Sequence, residues 1–142
     1  MSLVVIDVDN FKRVNDQHGH LVGDQVLAEI ATRIRRESRK GDCVGRVGGE
    51  EFAWVVPGLD QAEALRVARR VRQAGRSTPC PPAGNMTVSL GVAQAYPGID
   101  AVSLYHLADA ALYEAKDRGR DRVIAAGTTL PLREAEDLAA FH

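Results

Sequence analysis

The feature that most constrains the fold is the short apolar run at residues 3–8, Leu-Val-Val-Ile-Asp-Val. It is rich in β-branched residues and apolar at consecutive positions, which is typical of a strand buried on both faces. A strand of this kind needs cover on both sides, so we expect a layered α/β fold. The chain has 142 residues, enough for one domain with one hydrophobic core.

Four helices are predicted from the spacing of apolar side chains and from breaker residues. The predicted helices are residues 10–19, a second helix from about Val22 to about Arg39, residues 60–74 with Asp60 and Gly75 as caps, and a fourth between a Ser103 cap and Gly119. Further strands are expected at residues 86–92 and 122–126, with a loop at 76–85. The order β-α-α-β-β-α-β-α-β contains a hairpin and a crossover, so we expect a mixed central sheet flanked by helices (α/β, or α+β).

The segment Gly48-Gly49-Glu50-Glu51 lies between extended runs at residues 43–47 and 51–56. A Gly-Gly dipeptide in this position predicts a tight hairpin turn with positive φ, and it lets a flat ligand approach the backbone. Two adjacent glutamates are poor strand formers that repel each other, which favours a functional role. The alternative interpretation is an exposed acidic hairpin tip.

Asp7 and Asp9 follow the first strand, at the edge where α/β folds place ligands. The alternative is that one of them, above all Asp9, caps the next helix. If Asp7 meets a hairpin glutamate across adjacent strands, the two form a hard oxygen site suited to Mg²⁺ with phosphate. Lys12, Lys116 and Arg120 would then supply the positive charge that a triphosphate requires, although each alone is typical of a solvated side chain or a helix C-terminus.

Charge and composition exclude several classes of protein. The formal charge of −1 provides no basic field, which argues against nucleic acid as a partner. The sequence contains no apolar run of membrane-spanning length and no visible signal peptide, so we expect no membrane contact. Cys43 and Cys80 form no C-x-x-C pair; we expect reduced thiols and a cytoplasmic location, with a disulfide as the alternative.

Taken together, these residues resemble the GGDEF domain family of diguanylate cyclases. The motif blocks that carry the resemblance are Ile6-Asp-Val-Asp-Asn-Phe-Lys-Arg-Val-Asn-Asp16, His18-Gly-His, Gly23-Asp24, Arg46-Val-Gly-Gly-Glu-Glu-Phe52, Val88-Ser-Leu-Gly-Val92, Ala108-Asp-Ala-Ala-Leu-Tyr-Glu-Ala-Lys116 and Gly119-Arg-Asp-Arg122. The resemblance covers residues 3–126 and implies a polymerase-palm, nucleotide-cyclase-like fold. It assigns residues 1–127 to the GGDEF domain and leaves 128–142 as a tail that may be helical only as an alternative to a loop.

The family implies that two GTP molecules condense into cyclic di-GMP across a homodimer, with two Mg²⁺ or Mn²⁺ ions in each active site. The residues carried over are Asp7, Glu50 and the Val8 carbonyl for metal, Asn15 and Asp24 for guanine, Lys12, Lys116 and Arg120 for phosphates, and Gly48 and Gly49 for close nucleotide approach. A carboxylate can accept from both the ring N–H and the amine of guanine, which adenine cannot match. Glu51 is the candidate that assists deprotonation.

The segment Arg39-Lys-Gly-Asp42 lies at the spacing before Gly48 where many family members carry an R-x-x-D product-inhibition site. The resemblance implies that Arg39 binds a phosphate or guanine edge, that Asp42 accepts from guanine N–H groups, and that Arg70 supports them. The alternative interpretation is a charged loop between a helix and a strand.

Family domains usually begin with a helix and a D-x-L-T-G-L-x-N-R-R-like segment, whereas this sequence starts at the first strand. The resemblance therefore implies a longer parent protein with an upstream sensor domain, and weak activity for this segment alone. Three other classes compete: a non-catalytic module that binds GTP or cyclic di-GMP, a haloacid-dehalogenase-type phosphatase, and a scaffold without ligand. The phosphatase leaves residues 48–52 unexplained, and the scaffold makes the ordered motif blocks a coincidence.

Overall fold

The computed structural model describes residues 1–127. Its elements are β1 (Ser2–Val8), α1 (Phe11–His18), α2 (His20–Glu37), β2 (Cys43–Gly48), β3 (Glu51–Val56), α3 (Gln61–Ser77), β4 (Pro79–Cys80), β5 (Gly84–Asn85), β6 (Val88–Gln94), α4 (Ala101–Asp117) and β7 (Val123–Ala125). The tail expected at 128–142 lies outside the described residues.

The main sheet has five strands in the order β2-β3-β1-β6-β7. Only β6 and β7 run parallel, and the other neighbouring strands are antiparallel, so the predicted mixed sheet is confirmed. The predicted buried strand is confirmed as well, since every residue of β1 is buried. Val4 and Ile6 face a core shared with α1, α2 and α3, whereas Leu3 and Val5 face α4 on the opposite side.

Helix α4 packs unusually close to β6 because a glycine lies at the contact. A Cβ atom added to Gly91 would lie 2.1 Å from the Ala108 carbonyl oxygen and 2.4 Å from the Leu112 nitrogen. A side chain at this position is therefore sterically excluded. The close approach places the last turn of α4 beside the end of β1, which matters for the site described below.

Several predicted helix limits differ from the structure. Asp60 caps α3 as predicted, accepting a 2.8 Å hydrogen bond from the Glu63 N–H. Gly75 is not its C-cap: the helix continues to Ser77, and Gly75 is buried where an added Cβ would lie 3.2 Å from the Met86 carbonyl oxygen. Close packing, and not chain reversal, explains that glycine.

The start of α4 and the preceding loop also differ from prediction. Asp100, not Ser103, is the N-cap, since its carboxylate accepts a 2.7 Å hydrogen bond from the Ser103 N–H. Residues 76–85 were expected as a loop, but residues 76 and 77 close α3 and the rest includes a small two-stranded sheet of β4 and β5. The second helix ends at Glu37, two residues before the expected limit near Arg39.

Candidate active site

A cavity of about 620 Å³ opens at the C-terminal end of β1. Its lining combines the end of β1, the start of α1, the β2–β3 turn and the end of α4. The predicted site residues that line it are Asp7, Val8, Lys12, Glu50, Lys116 and Arg120. The fold therefore gathers two carboxylates and three cationic side chains, from segments far apart in sequence, around one space.

Asp7 is the most perturbed acid of this cavity. Its Oδ2 accepts a 2.5 Å hydrogen bond from Nζ of Lys116, and its residue is 6% exposed. Burial raises the pKa of Asp7 to about 6, since the bond and charge of Lys116, which lower it, do not offset the desolvation. The nearby Glu50 and Glu51 carboxylates raise it further. The local environment therefore favours an additional positive charge beside Asp7.

Glu50 reaches the cavity because the hairpin turn is attached to the end of β1. The Val8 N–H donates a 3.2 Å hydrogen bond to the Glu50 carbonyl oxygen, and Asp7 pairs with Glu51 across the strands. Arg46 also holds the turn, through a 2.7 Å bond from its Nε to the Gly49 carbonyl oxygen. Backbone pairing alone thus brings Glu50 next to Asp7.

The positive φ expected for the Gly48–Gly49 turn is wrong. Neither glycine lies in the left-handed region, and the strand register instead shifts between Arg46 and Gly48. This irregularity absorbs the reversal that a tight two-residue turn would otherwise require. An added Cβ at either glycine meets nothing within 4 Å, so the two residues leave an open, bare surface next to the cavity.

Glu51 does not line the cavity with Glu50. Its Oε1 accepts a 2.5 Å hydrogen bond from the hydroxyl of Tyr105 on α4. Burial and the bond to Glu51 raise the pKa of Tyr105 well above its usual range, so the hydroxyl remains a donor. Glu51 is consequently fixed against α4, and sequence reasoning did not anticipate this contact.

Asn15 and Asp24, the predicted guanine-binding residues, lie on α1 and α2 and do not line the cavity. The Asn15 Oδ1 atom is buried and has no hydrogen-bond partner among the described residues. An added Cβ on Gly23 would lie 1.9 Å from this atom, so glycine is needed at that position. Asp24 is exposed on the first turns of α2. The pair therefore offers a buried acceptor and a free carboxylate on adjoining helices.

Asp9 has a role that the sequence did not reveal. It does not cap α1, whose N-cap is Asn10 in the left-handed conformation without a side-chain cap bond. Its carboxylate instead accepts from Thr87 Oγ1 at 2.7 Å, from Ser89 Oγ at 2.6 Å and from the Asp121 N–H at 3.0 Å. Asp9 thus joins the end of β1 to β6 and to the segment after α4.

The oxygen donors of the cavity fit a hard divalent cation. Within residues 1–127, no group of three or more His, Cys, Asp or Glu side chains forms a complete metal cage. Mg²⁺ is usually bound through one or two carboxylates plus substrate phosphates, so two carboxylates and a backbone carbonyl are a sufficient protein contribution. The raised pKa of Asp7 has the same implication, because a bound cation would favour its ionised form.

The family model described as "Diguanylate cyclase, GGDEF domain" matches residues 1–122. The chain belongs to the GGDEF family. The resemblance inferred from the motif blocks is therefore confirmed, whereas the domain boundary at residue 127 stays a prediction. Diguanylate cyclases of this family are generally metal-dependent.

Curated relatives support the same assignment. The chain is 38% identical to diguanylate cyclase VdcA of Vibrio cholerae over 139 residues, covering 87% of this chain and 38% of that protein. It is 40% identical to the response regulator PleD of Caulobacter vibrioides over 130 residues, covering 87% of this chain and 29% of that protein. The chain thus spans roughly a third of the length of these relatives.

Solved GGDEF domains share the fold. The GGDEF domain of DgcB from Caulobacter crescentus, solved in complex with c-di-GMP, matches with a TM-score of 0.83 at 37% identity, covering 87% of this chain and 76% of that one. The active GGEEF domain of a diguanylate cyclase from Vibrio cholerae matches with a TM-score of 0.84 at 34% identity, covering 90% and 83%. The GGDEF-like fold expected from the sequence is confirmed.

The R-x-x-D segment of this GGDEF domain is ordered by internal contacts. Asp42 accepts from the Arg39 N–H at 2.9 Å and from Trp54 Nε1 at 3.2 Å, and its side chain is 1% exposed. The Arg39 guanidinium contacts Asp42 at 3.2 Å and donates to the Pro57 carbonyl oxygen at 2.6 Å. Arg70 lies on α3, is largely exposed and pairs with Glu37 at 3.6 Å.

Two further expectations concern location. Among the helices within residues 1–127, none has both the length and the apolar character needed to cross a membrane. Cys43 is exposed and Cys80 is buried, and both are free thiols, so the disulfide alternative is not formed.

Proposed function

We propose that this chain is the catalytic domain of a diguanylate cyclase, which converts two GTP into one cyclic di-GMP and two pyrophosphates. The observation that carries the proposal is the single cavity lined by Asp7, Glu50, Lys12, Lys116 and Arg120. Acidic side chains on one side and cationic side chains on the other match the requirements of a metal-bound triphosphate. Family membership gives independent support.

The cationic residues would bind the phosphates. Lys12 and Arg120 are exposed at the cavity, so their charged groups are available to a ligand. Lys116 is 35% exposed in its side chain and is shared between Asp7 and the cavity, so it can contact a phosphate oxygen while it remains close to the acid. The bare backbone of Gly48 and Gly49 would let the nucleotide lie against the hairpin.

Asp7, Glu50 and the Val8 carbonyl would hold Mg²⁺ or Mn²⁺, with two ions in each active site. When bound, these ions would lower the pKa of the attacking hydroxyl and stabilise the charge on the leaving pyrophosphate. Glu51 assists deprotonation in this proposal. Its bond to Tyr105 holds the carboxylate in one position, next to Asp7 in the strand pairing.

Asn15 and Asp24 would recognise guanine. The unpartnered buried Oδ1 of Asn15 supports this role, because a buried acceptor without a donor is unfavourable until a ligand supplies one. Guanine carries adjacent ring N–H and amine donors, which an amide oxygen and a carboxylate can accept. Adenine has no such pair, so the same groups would discriminate against ATP.

The reaction joins two half-sites. Each domain would hold one GTP, and the 3′-hydroxyl of each nucleotide would attack the α-phosphorus of the other in line. Each attack forms one P–O bond and breaks the bond to pyrophosphate, so the products are cyclic di-GMP and two pyrophosphates. A homodimer is therefore required, and an isolated monomer would be inactive.

Product inhibition would use Arg39, Asp42 and Arg70. In this proposal guanine N–H groups bind Asp42, and the Arg39 fork turns from the Pro57 carbonyl to the ligand. The exposure of Arg39 and Arg70, 48% and 61% of their side chains, supports their availability. An upstream sensor domain would control dimerisation in a longer parent protein. Its cytoplasmic location would agree with the two free cysteines.

The decisive experiment incubates the chain with Mg²⁺ and GTP over rising protein concentration and measures cyclic di-GMP. We expect product formation that increases more steeply than protein concentration, and its loss in Glu50→Gln, which keeps the size of the side chain but removes its charge. If product never forms while labelled cyclic di-GMP or GTP binds, the domain is a regulatory receptor. If no guanine nucleotide binds, both functions are excluded.

A further inference from the structure

The segment after α4 has an unusual backbone. Gly119, Arg120 and Asp121 have φ values of +114°, +66° and +47°. Non-glycine residues rarely adopt positive φ, and two in succession persist only where the surrounding structure holds them. Because Arg120 is a predicted phosphate ligand, the contacts that hold this backbone determine where its side chain lies.

Asp121 is held from two sides by residues that the proposed reaction does not use. Its N–H donates to Asp9 Oδ2 at 3.0 Å. Its carbonyl oxygen and its Oδ1 accept from Nε of Arg72 at 2.9 Å and 3.2 Å, and Nε of Arg76 lies 3.1 Å from its Oδ2. Both the backbone and the side chain of Asp121 are therefore fixed, the first from β1 and the second from α3.

Arg72 cannot act on the nucleotide directly. It lies on α3 and lines a different cavity, of about 560 Å³, together with Arg69 and Asp121. Arg120, by contrast, lines the cavity of Asp7 and Lys116. Asp121 is the link between the two cavities, because it follows Arg120 in the chain and binds Arg72.

We infer that Arg72 and Asp9 are positioning residues for Arg120. They hold Asp121 in the left-handed conformation, and this directs the Arg120 guanidinium into the nucleotide cavity. Without Arg72, the backbone at Arg120 and Asp121 relaxes toward negative φ, and the Arg120 side chain leaves the phosphates. The inference rests on the proposed function, in which Arg120 binds a phosphate.

The test is a double-mutant cycle on nucleotide binding with the full 142-residue chain. The probe is a GTP analogue with a methylene group between the α- and β-phosphorus, which binds in the presence of Mg²⁺ but cannot release pyrophosphate. Variants are Arg72→Gln, Arg120→Ala and the double variant. Arg72 is preferred to Asp9 for this purpose, since Asp9 is two residues from Asp7.

If Arg72 acts through Arg120, Arg72→Gln weakens analogue binding roughly tenfold in the wild-type background and less than about twofold when Arg120 is already alanine. Asp121→Asn, which retains the backbone groups but weakens the ion pairs, should show a smaller loss with the same dependence on Arg120. Arg69→Gln is the matched control, since Arg69 lines the same cavity as Arg72 and is expected to leave binding unchanged.

Urea unfolding of each variant separates positioning from stability, because a general loss of stability would not depend on residue 120. Additive losses for Arg72→Gln and Arg120→Ala, or no loss for Arg72→Gln, overturn the inference while leaving the proposed function intact. If Arg120→Ala itself leaves analogue binding unchanged, the phosphate role of Arg120 is wrong and the positioning inference is lost with it.

Discussion

Lys116 Nζ lies 2.5 Å from Oδ2 of Asp7, although 109 residues separate the two in the chain. The contact exists because α4 packs closely on β6, the direct neighbour of β1 in the sheet. It joins a residue predicted to bind metal to one predicted to bind phosphate. The electrostatics of the proposed site therefore depend on helix–sheet packing as well as on the motif residues.

The stability of the fold should fall as the pH rises through the titration of Asp7. Burial raises the pKa of this acid from 3.8 to about 6, so the folded state binds the proton more tightly than the unfolded state. The resulting penalty is absent below about pH 4 and complete above about pH 6 to 7. Asp7→Asn should therefore be more stable than the wild type at pH 8, by up to about 3 kcal/mol.

Urea unfolding between pH 4 and pH 8 measures this difference. Asp16→Asn is the matched control, because Asp16 lines the same cavity but is exposed. Equal stability of Asp7→Asn and the wild type at pH 8 would contradict the prediction.

Removing the charge of Lys116 should raise the pKa of Asp7 above about 6. The hydrogen bond and charge of Lys116 are the contributions that lower this pKa, and desolvation by the surrounding strands would remain. We expect Lys116→Gln to show the shift in an NMR titration of the Asp7 carboxyl carbon. Arg118→Gln provides a control at the same helix end, since Arg118 pairs with Glu114 and not with Asp7. A titration midpoint that is unchanged in Lys116→Gln would be evidence against the observed pair.

Gly91→Ala should destabilise the fold severely. The new methyl group would overlap the Ala108 carbonyl oxygen and the Leu112 nitrogen, which are backbone atoms of α4 that cannot rotate away. We expect a loss of at least about 3 kcal/mol, from overpacking and from displacement of α4. In Gly45→Ala the added Cβ meets nothing within 4 Å, and the loss should remain below about 1 kcal/mol. Thermal or urea unfolding of the two variants makes the comparison, and similar stabilities would refute it.

Tyr105→Phe should lower stability by about 1 to 2 kcal/mol at neutral pH. The substitution removes the hydroxyl that donates to Glu51 and leaves a half-buried carboxylate without that donor. Tyr113→Phe is the matched control on the same helix, because Tyr113 is 73% exposed and its variant should change stability by less than about 0.5 kcal/mol. The prediction fails if both variants unfold at the same urea concentration.

Local signals in the sequence predicted the elements well where the physical cause was itself local. Asp60 caps α3 because the cap bond spans three residues, and Gly19 ends α1 because its φ of +85° suits glycine. Gly75 misled for the opposite reason. A glycine can be required by a turn or by a distant neighbour, and only the fold shows that Met86 packs against this one.

The sequence by itself determined the family, the central buried strand and the set of chemically relevant side chains, since these depend on residue type, spacing and order along the chain. The tertiary structure decided which of them meet. It separated Glu51 from Glu50 through Tyr105, and it made Asp9 an acceptor for the segment after α4 in place of a helix cap. The physical reason is that hydrogen bonds and desolvation depend on distance in space, and the pairing of Asp7 with Lys116 arises only when α4 packs on the sheet.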